Sequence, residues 1–308
     1  MIIGGTGFIG SYLAKELINR KEDVIIFDIK KQLNPIMEEI TEKVNIVIGD
    51  ITDIHDLSCA IKKYNPEKIV HLASLLADYS QKNPRKAIKV NCLGTCNVFE
   101  SAKLFDIKKV VWTSSVAVYG PREYYDKMPV NEETPTKPES IYGACKVFNE
   151  NLALYYRKQY GLDFIGLRLS VVYGPFRRGG RSAFASEMIY KSIIGEPIEI
   201  PYGDEIISWL YIKDAVQAII KALDVEETEH VIFNIPGDTR SVKEAVDIIR
   251  RKIPGANIKL EPGKLASYVD IDGKRAEKEL GFKIRYTLEK GIEDFIETIK
   301  RYQNKTTL

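Results

Sequence analysis

The chain has 308 residues, of which 44% are hydrophobic and 29% are charged, a composition typical of a folded globular protein rather than a disordered or fibrous one. Lys and Arg total 45 and Asp and Glu total 43, so the formal net charge is only +2. This even balance argues against nucleic acid or an anionic membrane as the partner, and it favours chemistry on a small molecule.

The sequence also predicts a protein of the cytoplasm. It contains no run of about 18 apolar residues, and the apolar start Met1-Ile2-Ile3 is too short for a secretory signal. The four cysteines form no CxxC pair and the three histidines are scattered. We therefore expect reduced cysteines and no metal site.

Apolar segments alternate with helix-length amphipathic segments through the first half of the chain. The predicted strands are Val24–Phe27, Asn45–Ile48, Lys68–Leu72, Lys109–Trp112 and Phe164–Leu169. Because these strands are apolar almost throughout, we expect a parallel sheet that is buried on both faces. The predicted fold is therefore α/β, a Rossmann-type doubly wound parallel sheet.

The pattern becomes less regular after about Ser170. A loop at Tyr173–Arg181 is followed by predicted helices at Ser182–Ile194, Lys213–Leu223, Val242–Lys252 and Leu288–Tyr302. We expect residues 1–170 to form the cofactor-binding Rossmann domain, to which 209–235 return. Residues 171–308 should form mainly a smaller, partly interleaved α/β domain for the substrate, which would bind in the cleft between the two.

A glycine loop, Gly4-Gly5-Thr6-Gly7-Phe8-Ile9-Gly10, precedes a helix predicted at Ser11–Arg20. Glycines three residues apart allow a tight turn and a close approach to a pyrophosphate, which the helix N-terminus attracts. The next strand ends in Asp28, whose carboxylate can accept hydrogen bonds from the adenosine ribose and would repel a 2′-phosphate. The loop and its acid predict NAD, although Lys30 and Lys31 leave NADP open. The cofactor residues from this motif are Gly4, Gly7, Phe8, Ile9, Gly10 and Asp28.

Tyr142 and Lys146 lie four residues apart at the start of a helix predicted to reach Tyr160. This spacing puts both side chains on one helix face, where an ammonium lowers the pKa of the phenol and makes it a general acid/base. Ser115 follows a buried strand and could hydrogen-bond the reacting hydroxyl. Such pairs and strand-end hydroxyls are common by chance, so their location in the fold carries the prediction.

These segments together resemble the extended short-chain dehydrogenases/reductases, the group that contains nucleotide-sugar epimerases and dehydratases. The resemblance covers nearly the whole chain. Its motifs are GGTGFIG (4–10), GDITD (49–53), HLAS (71–74), VNCLGT (90–95), SSVAVYG (114–120), YGACK (142–146), LRLSVVYGP (167–175), YIKDAV (211–216) and LGF (280–282).

The resemblance implies a catalytic set and a cofactor groove. The catalytic set would be Ser115, Tyr142 and Lys146, with Tyr142 removing a proton from a substrate hydroxyl while hydride passes to the nicotinamide. Lys146 would hold the nicotinamide ribose. The further cofactor residues implied are Asp50, Ile51, Leu72, Ala73, Ser74, Asn91, Thr113, Tyr142, Lys146 and Leu169, and the substrate residues are Leu75, Ser115 and Tyr142.

The chain departs from the family pattern at three places, one of which is Ser208-Trp209-Leu210, where nucleotide-sugar enzymes commonly carry an Arg-Asp-Phe whose arginine holds the diphosphate. Val116-Ala117 stand where the dehydratases usually carry an Asp-Glu pair, so dehydration is disfavoured. Val171 stands where nucleotide-sugar enzymes commonly have an asparagine that holds the diphosphate, and a valine cannot donate a hydrogen bond. Arg177, Arg178 and Arg181 could supply cations for a diphosphate or a carboxylate, or could form a solvated loop. We place Arg181 in the substrate site.

The sequence therefore predicts an NAD-dependent epimerase/dehydrogenase that acts on a sugar, most closely a nucleotide-sugar 4-epimerase. The segment Gly180-Arg181-Ser182 with Glu187 and Tyr190 also resembles the short-chain type of L-threonine dehydrogenase. Net oxidation of a hydroxy amino acid or a sugar acid is the alternative. A protein that binds NAD without catalysis is disfavoured, because the full catalytic set is present. Relatives often dimerise through two helices that correspond to about 84–105 and 141–160, so we expect a homodimer.

Overall fold

The protein folds around a seven-stranded sheet in which all neighbouring strands are parallel. The computed structural model describes residues 1–32, 34–265 and 269–306. In spatial order the strands are β3 (Asn45–Ile48), β2 (Ile25–Asp28), β1 (Ile2–Ile3), β4 (Lys68–His71), β5 (Lys109–Ser115), β6 (Phe164–Leu169) and β10 (Ile232–Ile235). This is the doubly wound arrangement, and it confirms the fold predicted from the sequence.

Helices connect the strands of this sheet. In the first half of the chain they are α1 (Phe8–Asn19), α2 (Pro35–Ile40), α3 (Ile54–Tyr64), α4 (Ala77–Lys82), α5 (Pro84–Ala87), α6 (Thr95–Leu104) and α7 (Ile141–Tyr160). A π-helical segment, Ile88–Gly94, joins α5 to α6. Within the described ranges, no helix combines the length and the apolar character that crossing a bilayer requires.

Two hydrophobic clusters pack against opposite faces of the large sheet. One contains Val111 of β5 with Leu13 of α1, and the other contains the next strand residue, Trp112, with Phe99 of α6. Successive strand residues point to opposite faces, so both faces of the sheet are buried, except at the edge strand β3, where Asn45 and Ile48 are exposed. This explains why the strands are apolar almost throughout.

The second half of the chain adds two small sheets. One consists of β7 (Val171–Tyr173), β9 (Ile206–Tyr211) and β11 (Asp238–Ser241), and the other of β8 (Ile198–Ile200) and β12 (Ile258–Leu260). The helices are α8 (Phe184–Ile194), α9 (Ile212–Asp224), α10 (Val242–Lys252), α11 (Lys274–Leu280) and α12 (Leu288–Thr306). After β9 the chain returns to the large sheet, because α9 packs on α1 and β5 and β10 pairs with β6. The predicted division into two domains near residue 170 stays a prediction.

Two elements differ from the sequence prediction near the site. Helix α1 begins at Phe8 rather than at Ser11, so it includes the last residues of the glycine loop. Strand β5 continues to Ser115 rather than ending at Trp112. Both differences move candidate site residues out of loops and into regular elements, which hold them more firmly.

Candidate active site

A cleft of about 720 Å³ contains most of the residues predicted to bind cofactor or substrate. It follows the carboxyl ends of the strands of the large sheet and the first turn of α1, the edge at which doubly wound sheets bind ligands. The predicted residues on its surface are Gly4, Gly7, Phe8, Ile9, Gly10, Leu72, Ser74, Thr113, Ser115, Tyr142, Leu169 and Arg181.

The glycine loop packs too tightly against its neighbours to carry side chains at two positions. Gly4 has a φ of +80°, and a Cβ there would lie 2.6 Å from the backbone nitrogen of Ala73. A Cβ on Gly10 would lie 2.6 Å from the Gly4 oxygen. Helix α1 follows Gly7, where no side chain caps the first-turn N–H groups. Those groups and the helix dipole form an anion-binding end at the cleft.

Asp28, at the end of β2, is bonded to the glycine loop. Its Oδ2 accepts hydrogen bonds from the Thr6 backbone nitrogen at 3.0 Å and from the Thr6 hydroxyl at 2.7 Å. Its Oδ1 accepts one from the Ile29 nitrogen at 2.8 Å. The buried carboxylate therefore holds the loop onto β2, a contact that the sequence analysis did not predict. Its contact with the adenosine ribose stays a prediction, for which each carboxylate oxygen keeps acceptor capacity.

Ser115, Tyr142 and Lys146 come together from β5 and α7. The Lys146 ammonium donates a hydrogen bond to the Thr113 carbonyl at 2.7 Å and lies 5.3 Å from the centre of the Tyr142 ring. Burial raises the pKa of the Tyr142 phenol to about 12, whereas hydrogen bonding from Ser115 and the charge of Arg177 act in the opposite direction. Burial lowers the pKa of Lys146 to about 8. The phenol therefore needs further positive charge nearby before it ionises at neutral pH.

The first turn of α7 is built to bring Tyr142 close to β5. The Ser140 side chain caps the helix by accepting a hydrogen bond from the Gly143 nitrogen at 3.0 Å. A Cβ on Gly143 would lie 2.4 Å from the Ala117 oxygen, so glycine lets the helix touch the turn that follows Ser115. The helix start and the strand end are thus in direct backbone contact, which explains how residues distant in sequence form one set.

Asn91, predicted as a cofactor residue, supports the cleft rather than lining it. Its Oδ1 accepts hydrogen bonds from the Leu75 nitrogen at 2.8 Å and the Ser74 hydroxyl at 3.2 Å. Its Nδ2 donates to the Leu75 oxygen at 2.9 Å, and the side chain is 1% exposed. Asn91 therefore fixes the segment after β4, which presents Ser74 to the cleft.

Asp50 and Ile51 follow β3, apart from the catalytic set. Asp50 lines a separate depression of about 480 Å³ and accepts a hydrogen bond from the Thr52 nitrogen at 2.8 Å. Ile51 is buried beneath Gly94, where a Cβ would lie 2.6 Å from it. Their contact with the adenine stays a prediction.

The arginine loop, which carries Arg177, Arg178 and Arg181, lines the same cleft as Tyr142. Arg177 is anchored within the loop, because it donates hydrogen bonds to the Ser182 hydroxyl at 2.7 Å and to the Val172 oxygen. Three guanidinium groups in one cleft can bind an anionic group of a substrate by paired hydrogen bonds.

Comparison with known proteins decides the family. The family model described as "NAD dependent epimerase/dehydratase family" matches residues 1–235. The chain belongs to this family. A Methanocaldococcus jannaschii protein provisionally named UDP-glucose 4-epimerase is 34% identical over 99% of both chains. UDP-glucuronate 4-epimerase 4 of Arabidopsis thaliana is 28% identical over 96% of this chain and 74% of its own length.

Two solved structures of similar fold carry different activities in their names. A partial consensus L-threonine 3-dehydrogenase has a TM-score of 0.89 and 26% identity, and the match covers 97% of this chain and 98% of that one. The Thermotoga maritima UDP-glucose 4-epimerase with UDP-glucose also has a TM-score of 0.89, with 24% identity and 98% coverage of both chains. The fold therefore does not separate an epimerase from a dehydrogenase.

Membership of the NAD-dependent epimerase/dehydratase family confirms the predicted enzyme class and cofactor. The site fits a dinucleotide on structural grounds, because the tightly packed glycine loop lines the cleft without side chains at Gly4, Gly7 and Gly10, and the α1 N-terminus is uncapped. Gly7, Phe8 and Ile9 would hold the pyrophosphate at this end of the cleft, and Thr113 and Leu169 line the part nearer to Tyr142.

Several residues of the site escaped the sequence analysis. Thr6 is a hydroxyl residue inside the glycine motif, a signal that could have revealed its bond to Asp28. Asp78 and Gln81 of α4 also line the cleft, and no motif marks them. The Gln81 Oε1 accepts a hydrogen bond from the Ile141 nitrogen at 3.3 Å, which ties α4 to the first turn of α7. Only the folded chain brings α4 to this place.

Proposed function

We propose that this enzyme is a nucleotide-sugar 4-epimerase that acts through a transient 4-keto sugar. The observation that carries the proposal is that three kinds of groups line one cleft. The glycine loop and the α1 N-terminus suit a dinucleotide, Ser115 and Tyr142 suit a reacting hydroxyl, and the arginine loop suits a diphosphate. The 34% identity to the Methanocaldococcus protein supports the same activity.

NAD, when bound, supplies the acceptor and later the donor of hydride. In the proposal, Tyr142 takes the proton of the C4 hydroxyl while the C4–H bond breaks and the carbonyl forms. Ser115 donates a hydrogen bond to the same oxygen and holds it in place. Lys146 stabilises the phenolate by its charge. After the keto sugar has turned its other face to the cofactor, hydride returns to C4 and Tyr142 returns the proton to the oxygen, so the configuration is inverted and nothing is oxidised overall.

Net dehydrogenation of a hydroxy amino acid or a sugar acid is the second candidate. The 26% identity and the TM-score of 0.89 to the consensus L-threonine 3-dehydrogenase favour it. Val171 favours it as well, because its buried apolar side chain cannot bind a diphosphate. In that reaction Tyr142 and Ser115 would serve the same proton transfer, but the ketone and NADH would be released.

A substrate panel separates the two candidates. The purified enzyme is incubated with UDP- and dTDP-hexoses, hexuronates included, and in parallel with L-threonine and sugar acids plus NAD. The proposal expects interconversion of at least one pair of C4 epimers without net NADH. Stoichiometric NADH from an amino or sugar acid would favour the second candidate, and a panel in which no nucleotide sugar binds or reacts would refute the first.

The role of Tyr142 is tested with a matched control on the same helix. Tyr142→Phe should abolish whichever turnover the panel reveals, because the proton acceptor is lost. Tyr160→Phe, at the exposed end of α7, should leave turnover unchanged. Undiminished turnover in Tyr142→Phe would show that the catalytic assignment is wrong.

We also propose that the enzyme is a cytoplasmic homodimer that pairs through α7 and the α5–α6 region. The four cysteines are free, as is usual in a reducing compartment. Large apolar side chains are exposed on both elements, namely Ile88, Leu93, Phe148, Leu154 and Tyr155. Light scattering after size exclusion should give twice the chain mass, and Phe148→Glu should give a monomer. A wild-type monomer would contradict the proposal.

A further inference from the structure

A buried ion pair adjoins the catalytic set but contains none of its residues. The Arg168 Nη2 lies 2.6 Å from the Glu150 Oε2, and the Arg168 Nε donates to the Glu150 Oε1 at 2.8 Å. The two side chains are only 5% and 6% exposed. The pair is therefore two-point, charge-assisted and shielded from water.

The ion pair contacts the strand and the helix that carry the catalytic set. The Ser114 hydroxyl, next to Ser115, donates a hydrogen bond to the Glu150 Oε1 at 2.6 Å. Glu150 follows Lys146 by one turn of α7, so the two side chains lie on the same helix face. Arg168 lies beside Ser114 in the pairing of β6 with β5. One carboxylate thus joins the end of β5 to the helix that positions Lys146.

On its other side, Arg168 holds the segment that follows β5. Its Nη1 donates to the Tyr119 hydroxyl at 2.6 Å, and that hydroxyl donates to the Asn234 Oδ1 of β10 at 2.9 Å. Tyr119 is followed by Gly120, which lines the cleft. The chain of contacts therefore fixes the backbone on both sides of Ser115.

A contribution to the stability of the fold does not by itself explain why a buried ion pair stands at this place. Replacing a buried ion pair with apolar side chains is often neutral or stabilising, because desolvation of the charges offsets their attraction. The position of the pair offers a better reason, because Glu150 bonds to Ser114 and lies one turn from Lys146. Burial lowers the pKa of Lys146, and the Glu150 charge, after that of Cys145, acts in the opposite direction. A charged Lys146 is what the proposed phenolate requires.

We propose that Glu150 and Arg168 are positioning residues, which hold the end of β5 at Ser115 in place against α7. Of the two, only the Glu150 carboxylate has the charge that favours the ammonium form of the neighbouring Lys146. Neither needs to touch substrate or cofactor. The inference rests on the proposed roles of Tyr142 and Lys146, but it is independent of which substrate the enzyme takes.

Glu150→Gln tests this proposal, because it removes the charge and keeps the shape. We expect kcat to fall about tenfold or more, as displaced catalytic groups commonly cause. We also expect the high-pH fall of kcat to move to lower pH, because Lys146 loses its proton more readily. The other titratable groups near Lys146 are Tyr142, Cys145, Cys92 and His71, and the substitution leaves them in place.

NADH binding also depends on the charge of Lys146, and its measurement needs no substrate. NADH binding, measured by fluorescence across pH, should weaken as Lys146 deprotonates, and in Glu150→Gln this weakening should begin at lower pH. Well below that pH, the NADH affinity of the variant should match the wild type. A merely structural role for Glu150 would lower stability without moving the pH at which binding weakens.

A second ion pair on the same strand provides the control. Lys109, at the other end of β5, lies 3.0 Å from Asp163. Asp163→Asn should lower the melting temperature but leave kcat and both pH profiles unchanged. If it reproduces the losses of Glu150→Gln, general destabilisation explains them and the proposal fails.

Further outcomes decide the remaining cases. A folded Glu150→Gln with wild-type kcat and pH profiles overturns the proposal. If Glu150→Gln does not fold, Ser114→Ala, which removes a single hydrogen bond to the pair, should lower kcat severalfold, and wild-type kcat in it would also overturn the proposal. Turnover that survives in Tyr142→Phe refutes the catalytic roles instead, so the two failures are distinguishable.

Discussion

Replacing Lys146 with methionine should stabilise the folded protein at neutral pH while it abolishes turnover. The Lys146 side chain is 4% exposed, and burial lowers its pKa from 10.5 to about 8. The folded state therefore carries a poorly solvated ammonium at pH 7 that methionine, of similar length, would remove. Active sites commonly retain such groups because function requires them.

The size of the effect follows from the pKa. Each unit by which the pKa of Lys146 differs between the folded and unfolded states corresponds to about 1.4 kcal/mol. The charge on Lys146 therefore costs the folded state about 3 kcal/mol at pH 7. Methionine also loses the hydrogen bond to the Thr113 oxygen at 2.7 Å, which offsets about 1 kcal/mol of the gain. The net gain is about 2 kcal/mol, or about 4 °C in melting temperature for a chain of this size.

The pH dependence has a definite sign. Between about pH 8 and 10.5, the unfolded lysine holds its proton and the folded Lys146 does not. The unfolded state then binds more protons, so the stability of the wild type rises with pH across this window. The advantage of Lys146→Met should accordingly shrink from pH 8 upwards by about 1.4 kcal/mol per pH unit, and a net gain of about 2 kcal/mol should vanish at about pH 9.5.

The assay is thermal unfolding of the wild type and Lys146→Met without cofactor, from neutral pH to above pH 10.5. Lys109→Met is the matched control, because Lys109 is equally buried but lies 3.0 Å from Asp163. That variant leaves a carboxylate without its partner and should melt at lower temperature than the wild type. A Lys146→Met melting temperature at or below the wild type at pH 7, or a difference that does not change with pH, would refute the reasoning.

Three further substitutions test the glycine loop and the arginine loop. Gly10→Ala should weaken NADH binding about tenfold or more, because its Cβ would lie 2.6 Å from a backbone oxygen of the glycine loop. Gly255→Ala, which has open space around the Cβ, should leave NADH affinity unchanged. Equal NADH affinities of the two variants would argue against cofactor binding by the glycine loop. Thr6→Val removes the 2.7 Å hydrogen bond to Asp28 and should lower the free energy of unfolding by about 1–2 kcal/mol in denaturant titration. Arg177→Met should raise KM for an anionic substrate about tenfold while NADH affinity stays the same, and an unchanged KM would exclude the arginine loop from substrate binding.

Several features of the enzyme could be predicted from the sequence because they depend on local spacing. Continuous apolar strands predicted a sheet buried on both faces, and the two hydrophobic clusters confirm it for all but the edge strand β3. The interval between Gly4, Gly7 and Gly10, followed by Asp28, predicted the dinucleotide cradle, and the family confirms the NAD-dependent class. The four-residue spacing of a tyrosine and a lysine put both on one helix face without any knowledge of the tertiary structure.

Only the tertiary structure decided which polar groups became partners. Thr6 and Asp28 are 22 residues apart, Asn91 and Leu75 are 16 apart, and Glu150 and Arg168 are 18 apart. No periodic pattern links such positions, because the partner of a buried polar group depends on which strands and helices become neighbours. The sequence by itself thus determined the sheet, the glycine cradle and the Tyr-Lys helix face. Packing decided that Asn91 supports the cleft, that α4 lines it, and that an ion pair adjoins the catalytic set.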